Sequence, residues 1–219
     1  MGAIMKTMVY DVEIANEIKD LKDGWNNKWD MKLGSAVVYC IEDDLYYFFL
    51  HEENKINLLN LLRNNICVSW SGIQFDSKVL LGDDRKIIIE KENKNTPVVN
   101  STRKECEGAW WREYDIQAIL HYKIFKKGLI KSDKLKYDCS FEEFLNNHPH
   151  PTGLSLGEIC NLNFGCEKNG DGAEAPILYK NKKYDDLLAY NLQDVRLTTK
   201  VYKFIKENKY INTRYGEVD

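Results

Sequence analysis

The stretch "MVYDVEIA", residues 8–15, decides how the chain is read. Met8, Val9, Tyr10, Val12 and Ile14 give it the apolar, β-branched and aromatic character of a strand, where acids are disfavoured. Yet Asp11 and Glu13 stand inside it. Side chains alternate along a strand, so both carboxylates leave the same face, about 7 Å apart. On a buried face they are costly unless a cation or hydrogen-bond donors satisfy them. A solvated edge would also accommodate them, and D-x-E alone is too common a tripeptide to decide between the two.

Outward from this strand, "LGSAVVYCIE" (33–42) and "LYYFFLH" (45–51) read as two more, joined by a tight turn at Asp43–Asp44. "ENKINLLNLLRNN" (53–65) has apolar residues at 56, 58, 59, 61 and 62, a helical face, and "ICVSWS" (66–71) returns as a strand. "FDSKVLLG" (75–82) opens a helix at Asp76, and "YDIQAILHYKIFKKG" (114–128) is a helix with Asp115 near its N-cap. Two short helices follow, "SFEEFLNNHP" with Ser140 and Glu143 at capping-box spacing and then "LSLGEICNLNFG". Residues 182–208 form one long helix. The polar, aperiodic stretch 91–108, with Pro97, reads as an insertion loop, and "GCEKNGDGAEAP" (165–176) as a loop. Strands first, then helices around a returning strand: this predicts an α/β fold with a mixed central sheet flanked by helices. At 219 residues the chain is read as one domain.

Composition narrows the function classes. No apolar run approaches the roughly 20 residues of a membrane span, and the N-terminus lacks a secretory apolar segment, so a cytoplasmic protein without a membrane partner is expected. The six cysteines show no C-x-x-C pair and read as reduced thiols rather than a zinc site. Net charge is −3, yet lysines cluster at 123–136 and 179–184. An acidic site in basic surroundings suits a phosphodiester. Trp25 and Trp29 lie on the long connection after the first strand, where they either cap the core or face a ligand.

Two further stretches join the first. In "SWSGIQFDSKVL" (69–80), a strand and a small turn at Ser71–Gly72 lead to Phe75 and Asp76. In "LAYNLQDVRLTTKVY" (188–202), Tyr190 and Asp194 are four apart and share a helix face. Capping alone would explain Asp76, and a surface pair would explain the other two. Taken in order, D-x-E on a first strand, F-D after a middle strand and Y-x-x-x-D on a late helix resemble the three motifs of the DEDD exonuclease superfamily, tyrosine branch. That group has an RNase H-like fold and includes the proofreading domains of family B DNA polymerases and RNase D-like enzymes. The resemblance spans residues 6–205, and "GLSLGEIC" with "EKNGDGAEAPILY" looks like the corresponding stretch of stand-alone bacterial and phage members. The other branch carries a His five residues before the final Asp, where Ala189 stands here. None of His51, His121, His148 and His150 is near. Related proteins often have Asn at the position of Ser71, which is shorter.

The resemblance implies a metal-dependent 3′→5′ exonuclease acting on the 3′ end of single-stranded nucleic acid, DNA slightly ahead of RNA. Two ions, Mg²⁺ or Mn²⁺, would be held by Asp11, Glu13, Asp76 and Asp194, since hard oxygen ligands suit them. By the same resemblance Asp11 bridges both ions, Glu13 and Asp194 complete the one that activates water, and Asp76 holds the other. Tyr190 orients the attacking water; its ordinary pKa of about 10 makes it a poor base at pH 7. Trp70, Ser71, Phe75 and Lys168 are candidate substrate contacts, with Trp110 and Trp111 as further aromatic candidates. Partner proteins of replication, repair or RNA processing would fit such an enzyme. Two other readings use the same acids: a structure-specific endonuclease, and an inactive nucleic-acid-binding module.

Overall fold

The computed structural model describes residues 4–24, 27–82, 85–90, 98–103, 110–147 and 154–219. Its centre is one seven-stranded sheet. β1 (Thr7–Ile14), β2 (Leu33–Cys40) and β3 (Leu45–Leu50) form an antiparallel meander, and β4 (Ile66–Ser69) and β7 (Trp110–Asp115) continue it in parallel with β1. β2, inside this meander and covered on both faces, is buried at all eight positions. β5 (Arg85–Glu90) and β6 (Val98–Arg103) extend the sheet antiparallel beyond β7. The fold is α/β with a mixed sheet flanked by helices, as the sequence predicts.

Alternation along β1 splits the core. Met8, Tyr10, Val12 and Ile14 pack with Leu58, Leu59 and Leu62 of α1 (Lys55–Leu62) and with Val79, Leu80 and Leu81 of α2 (Asp76–Leu81). Val9 faces the other way, into a cluster with α3 (Ile116–Lys126), α5 (Leu156–Phe164) and the 25-residue α7 (Tyr184–Asn208). Asp11 and Glu13 share the parity of Val9 and therefore lie under α7. A third cluster joins α3 to α4 (Phe141–Asn147). Ser140 caps α4 through the Glu143 N–H, as the spacing predicts. α6 (Ala175–Lys180) precedes α7, and a hairpin of β8 (Ile211–Thr213) and β9 (Gly216–Val218) follows it.

The stretch 91–108, expected as a loop, contains β6, and β5 before it was not anticipated. Pairing on both sides, with β5 and with β7, makes Val98–Arg103 a strand without any apolar period of its own. The helix expected over 114–128 starts at Ile116, because Tyr114 and Asp115 belong to β7. The expected loop 165–176 ends in a 3-10 turn at Gly172–Glu174 and the first residues of α6. In the two lysine clusters, Lys180 pairs with Glu17 and Lys127 with Asp219. Residues 91–97 and 104–109, and the readings of Trp25, His148 and His150, lie outside the described residues, as do the side chains of Trp29, Trp110 and Trp111. Among the described residues no helix is long and apolar enough to cross a membrane.

Candidate metal centre

β1 delivers Asp11 and Glu13 to the face that α7 covers, and α7 delivers Asp194 to the same place. One carboxylate oxygen from each of the three lies within 4.8 Å of the other two. The register of β1 against β2 shifts between Glu13 and Ile14. Such bulges re-aim side chains beside functional sites. Glu13 and Asp194 are buried, and one oxygen of Asp194, Oδ1, has no hydrogen-bond partner. Burial and the neighbouring Asp194 charge push Asp11 up to about 8. Burial, with Asp11 and Asp194, raises Glu13 as well. Burial raises Asp194, against the opposing charge of Lys168. Three crowded, desolvated carboxylates with an orphaned oxygen fit a hard divalent cation, which neutralises the repulsion and takes oxygen ligands.

The fourth acid stands beside this group. Asp76 is buried at the start of α2, and its Oδ1 accepts the Val12 N–H at 2.8 Å, just past the point where β4 stops pairing with β1. Burial and the Asp11 charge raise its pKa. Asp76 thus senses Asp11 but is outside the converging three.

Lys168 is drawn into the centre. Its Nζ lies 2.5 Å from Asp194 Oδ2 and 5.0 Å from the centre of the Tyr190 ring. Burial works against its charge, but Asp194 outweighs that and raises its pKa. Tyr190, one turn before Asp194, has a buried hydroxyl without a hydrogen-bond partner. Burial and the Glu13 charge push this phenol up, so it stays protonated at neutral pH. The loop carrying Lys168 is pressed against Tyr190. A Cβ on Gly170 would come within 3.1 Å of the ring, and φ there is +85°.

The other candidates are further from the carboxylates in role. Trp70 is half-buried against the α7-side core, and Phe75 against the core of α1 and α2. Ser71 has φ +69° and its N–H donates to Asp115 Oδ1 at 3.1 Å.

Two residues of the centre's surroundings, Asn191 and Glu113, escaped the sequence reading, and Asp115 was read only as a cap. Asn191 is fully buried and its Nδ2 donates to Asp11 Oδ2 at 2.5 Å. Its position three before Asp194 puts both on one helix face, a spacing that could have flagged it. Glu113 on β7 accepts from Tyr10 Oη at 2.6 Å, from Ser69 Oγ at 3.0 Å and from Ser77 Oγ, so it ties the neighbours of Asp11 and Asp76 together. Asp115 caps α3 through the Ala118 N–H, as expected, and also accepts from the N–H groups of Ser71 and Ile73. It therefore holds the turn that leads to Asp76.

No family model and no curated protein matches this sequence. Solved structures do. The family B DNA polymerase of the archaeon Pyrobaculum calidifontis superposes with a TM-score of 0.52 at 11% identity, over 93% of this chain and 25% of the polymerase. Phi29 DNA polymerase, in a complex with primer-template DNA, gives 0.48 at 12% identity, over 94% of this chain and 32% of the polymerase. This chain thus spans about a quarter to a third of the polymerases it matches. At such identity the likeness to the archaeal enzyme is one of fold, an α/β arrangement with a mixed sheet flanked by helices.

Proposed function

We propose that the chain is a metal-dependent 3′→5′ exonuclease domain of the DEDD superfamily, tyrosine branch, acting on single-stranded nucleic acid. The observation that carries this reading is the convergence of Asp11, Glu13 and Asp194. Asp194 is far from Asp11 and Glu13 in sequence, and no packing requirement brings three carboxylates together. That Tyr190, Asp76 and Lys168 surround them supports the same reading.

Asp11, Glu13 and Asp194 would hold divalent ions, with Asp76 completing the set. Bound there, the ions neutralise the carboxylates, acidify a water and stabilise charge on the phosphoryl oxygens. The rest falls to side chains. Burial and the Glu13 charge push the Tyr190 phenol up, which makes it a poor base at neutral pH, and its hydroxyl is disposed to hydrogen-bond the attacking water and fix its direction. Lys168 keeps its proton and offers a charged donor to a phosphate oxygen once a cation replaces it at Asp194. Trp70, Ser71 and Phe75, at the turn before Asp76, are the proposed substrate contacts. The exonuclease domain is taken as the whole chain, residues 1–219, with the resemblance carried by about 6–205.

The test uses 5′-labelled single-stranded DNA and RNA with Mg²⁺, Mn²⁺ or EDTA, beside an Asp11→Asn variant. A ladder shortening from the 3′ end, lost with EDTA and in the variant, is the expected result. Binding without cutting, in any metal, would instead identify a nucleic-acid-binding module. Cuts only at internal positions would identify an endonuclease.

A further inference from the structure

We propose that Asn191 is a positioning residue that sets the metal affinity of the centre by fixing the Asp11 carboxylate; this rests on the metal-dependent reading above. Asn191 is fully buried on α7, and its Nδ2 donates to Asp11 Oδ2 at 2.5 Å. Its own Oδ1 is buried without a partner. A side chain present only to fill this space would be Leu, of similar shape and with no acceptor to leave unpaired. The amide supplies what Leu cannot. It donates to one Asp11 oxygen, stops rotation of the carboxylate, and so determines where the second oxygen points.

The choice of an amide is also electrostatically specific. Lys or Arg at this position would offer a donor but would compete with a cation for Asp11, as Lys168 already does at Asp194. An acid would add a further charge to a group already crowded with them. Asn donates without charge. Because Asn191 and Asp194 are three apart on one helix, the same turn of α7 that supplies a ligand also aligns the ligand on β1.

Outer-shell partners of metal ligands change affinity or activity by about 10–100-fold when removed. The experiment titrates Mn²⁺ into the full chain by calorimetry, for the wild type and Asn191→Leu, with melting in EDTA as the check on folding. The expected result is a Kd for Mn²⁺ raised about 10–100-fold, with cleavage lost at limiting Mn²⁺ and recovered at saturating Mn²⁺. Wild-type Mn²⁺ affinity in a folded Asn191→Leu overturns the proposal. So does cleavage that stays lost at saturating Mn²⁺. If Asn191→Leu does not fold, Asn191→Ser, smaller and too short to reach Asp11, is read by the same criteria. A wild type that binds no Mn²⁺ would sink the metal-dependent reading itself. Binding and cutting by the wild type, with equal affinity in the variant, would remove only the role of Asn191.

Discussion

Two strands of one sheet carry the same pattern. β1 has Asp11 and Glu13, and β7 has Glu113 and Asp115, each pair separated by one residue. On β7 the acids face α2, and donors surround them: three hydroxyls on Glu113, three backbone N–H groups on Asp115. Gly72 lets them close up, since a Cβ there would overlap both Glu113 Oε1 and Ser69 Oγ. On β1 the acids face α7 and a third carboxylate, and the oxygen of Asp194 that Lys168 does not reach is unpaired. Donors that saturate a buried acid make it part of the scaffold. Acids that crowd one another with an oxygen left unpaired are instead suited to hold a cation.

Substitution should therefore act with opposite signs at the two strands. Asp11→Asn is expected to reduce cleavage by more than the roughly hundredfold typical of an outer-shell change, while raising the melting temperature in EDTA by removing repulsion. Asp115→Ala strands three N–H groups at about 1–3 kcal/mol each, partly offset by solvent. A loss of about 3 kcal/mol or more in urea unfolding is expected, with Mn²⁺ still bound by the folded fraction. A destabilised Asp11→Asn, or a neutral Asp115→Ala, would break the comparison.

Tyr190→Phe sharpens it within the centre. If Tyr190 orients the attacking water as proposed, its loss is expected to slow turnover about 10–100-fold, with Mn²⁺ affinity unchanged in calorimetry. The pH dependence comes next. Asp11 is raised from the ordinary aspartate value of about 3.9 to about 8. The metal-free folded state thus holds a proton that the unfolded state has released. Stability in EDTA is present below pH 4 or so, and falls as pH rises toward about 8. Mn²⁺ replaces the proton at the centre, so melting curves with Mn²⁺ should flatten, keeping the part of the slope that comes from Asp115, which burial raises to about 7. The smallest effect is expected of Gly170→Ala. A left-handed residue costs about 1–2 kcal/mol, and the added methyl presses the Lys168 loop against Tyr190. Urea unfolding measures the first and a raised KM the second.

Much of this was legible in the sequence because it is periodic or local. β-branched and aromatic runs mark β1 to β4, and the four-residue spacing of Tyr190 and Asp194 places them on one face of α7. The caps at Ser140 and Asp115 follow from residue type alone. What escaped depends on pairing at a distance. β6 becomes a strand through its two neighbours, not through its own pattern. The "EYD" of β7 matches the "DVE" of β1 in chemistry, and only the donors gathered from β1, β4 and α2 tell the two apart. Lys168 reads as a loop charge until folding brings it 26 positions along the chain to Asp194.

If the β1–α7 carboxylates form the metal centre, a bound ion sits between them. Diffraction from crystals grown with Mn²⁺, at a wavelength where Mn scatters anomalously, tests it most directly. The expected result is an anomalous peak about 2.0–2.3 Å from oxygens of Asp11, Glu13 and Asp194, with Lys168 Nζ moved off Asp194. No peak at millimolar Mn²⁺, with the Lys168–Asp194 pair intact, would contradict the account.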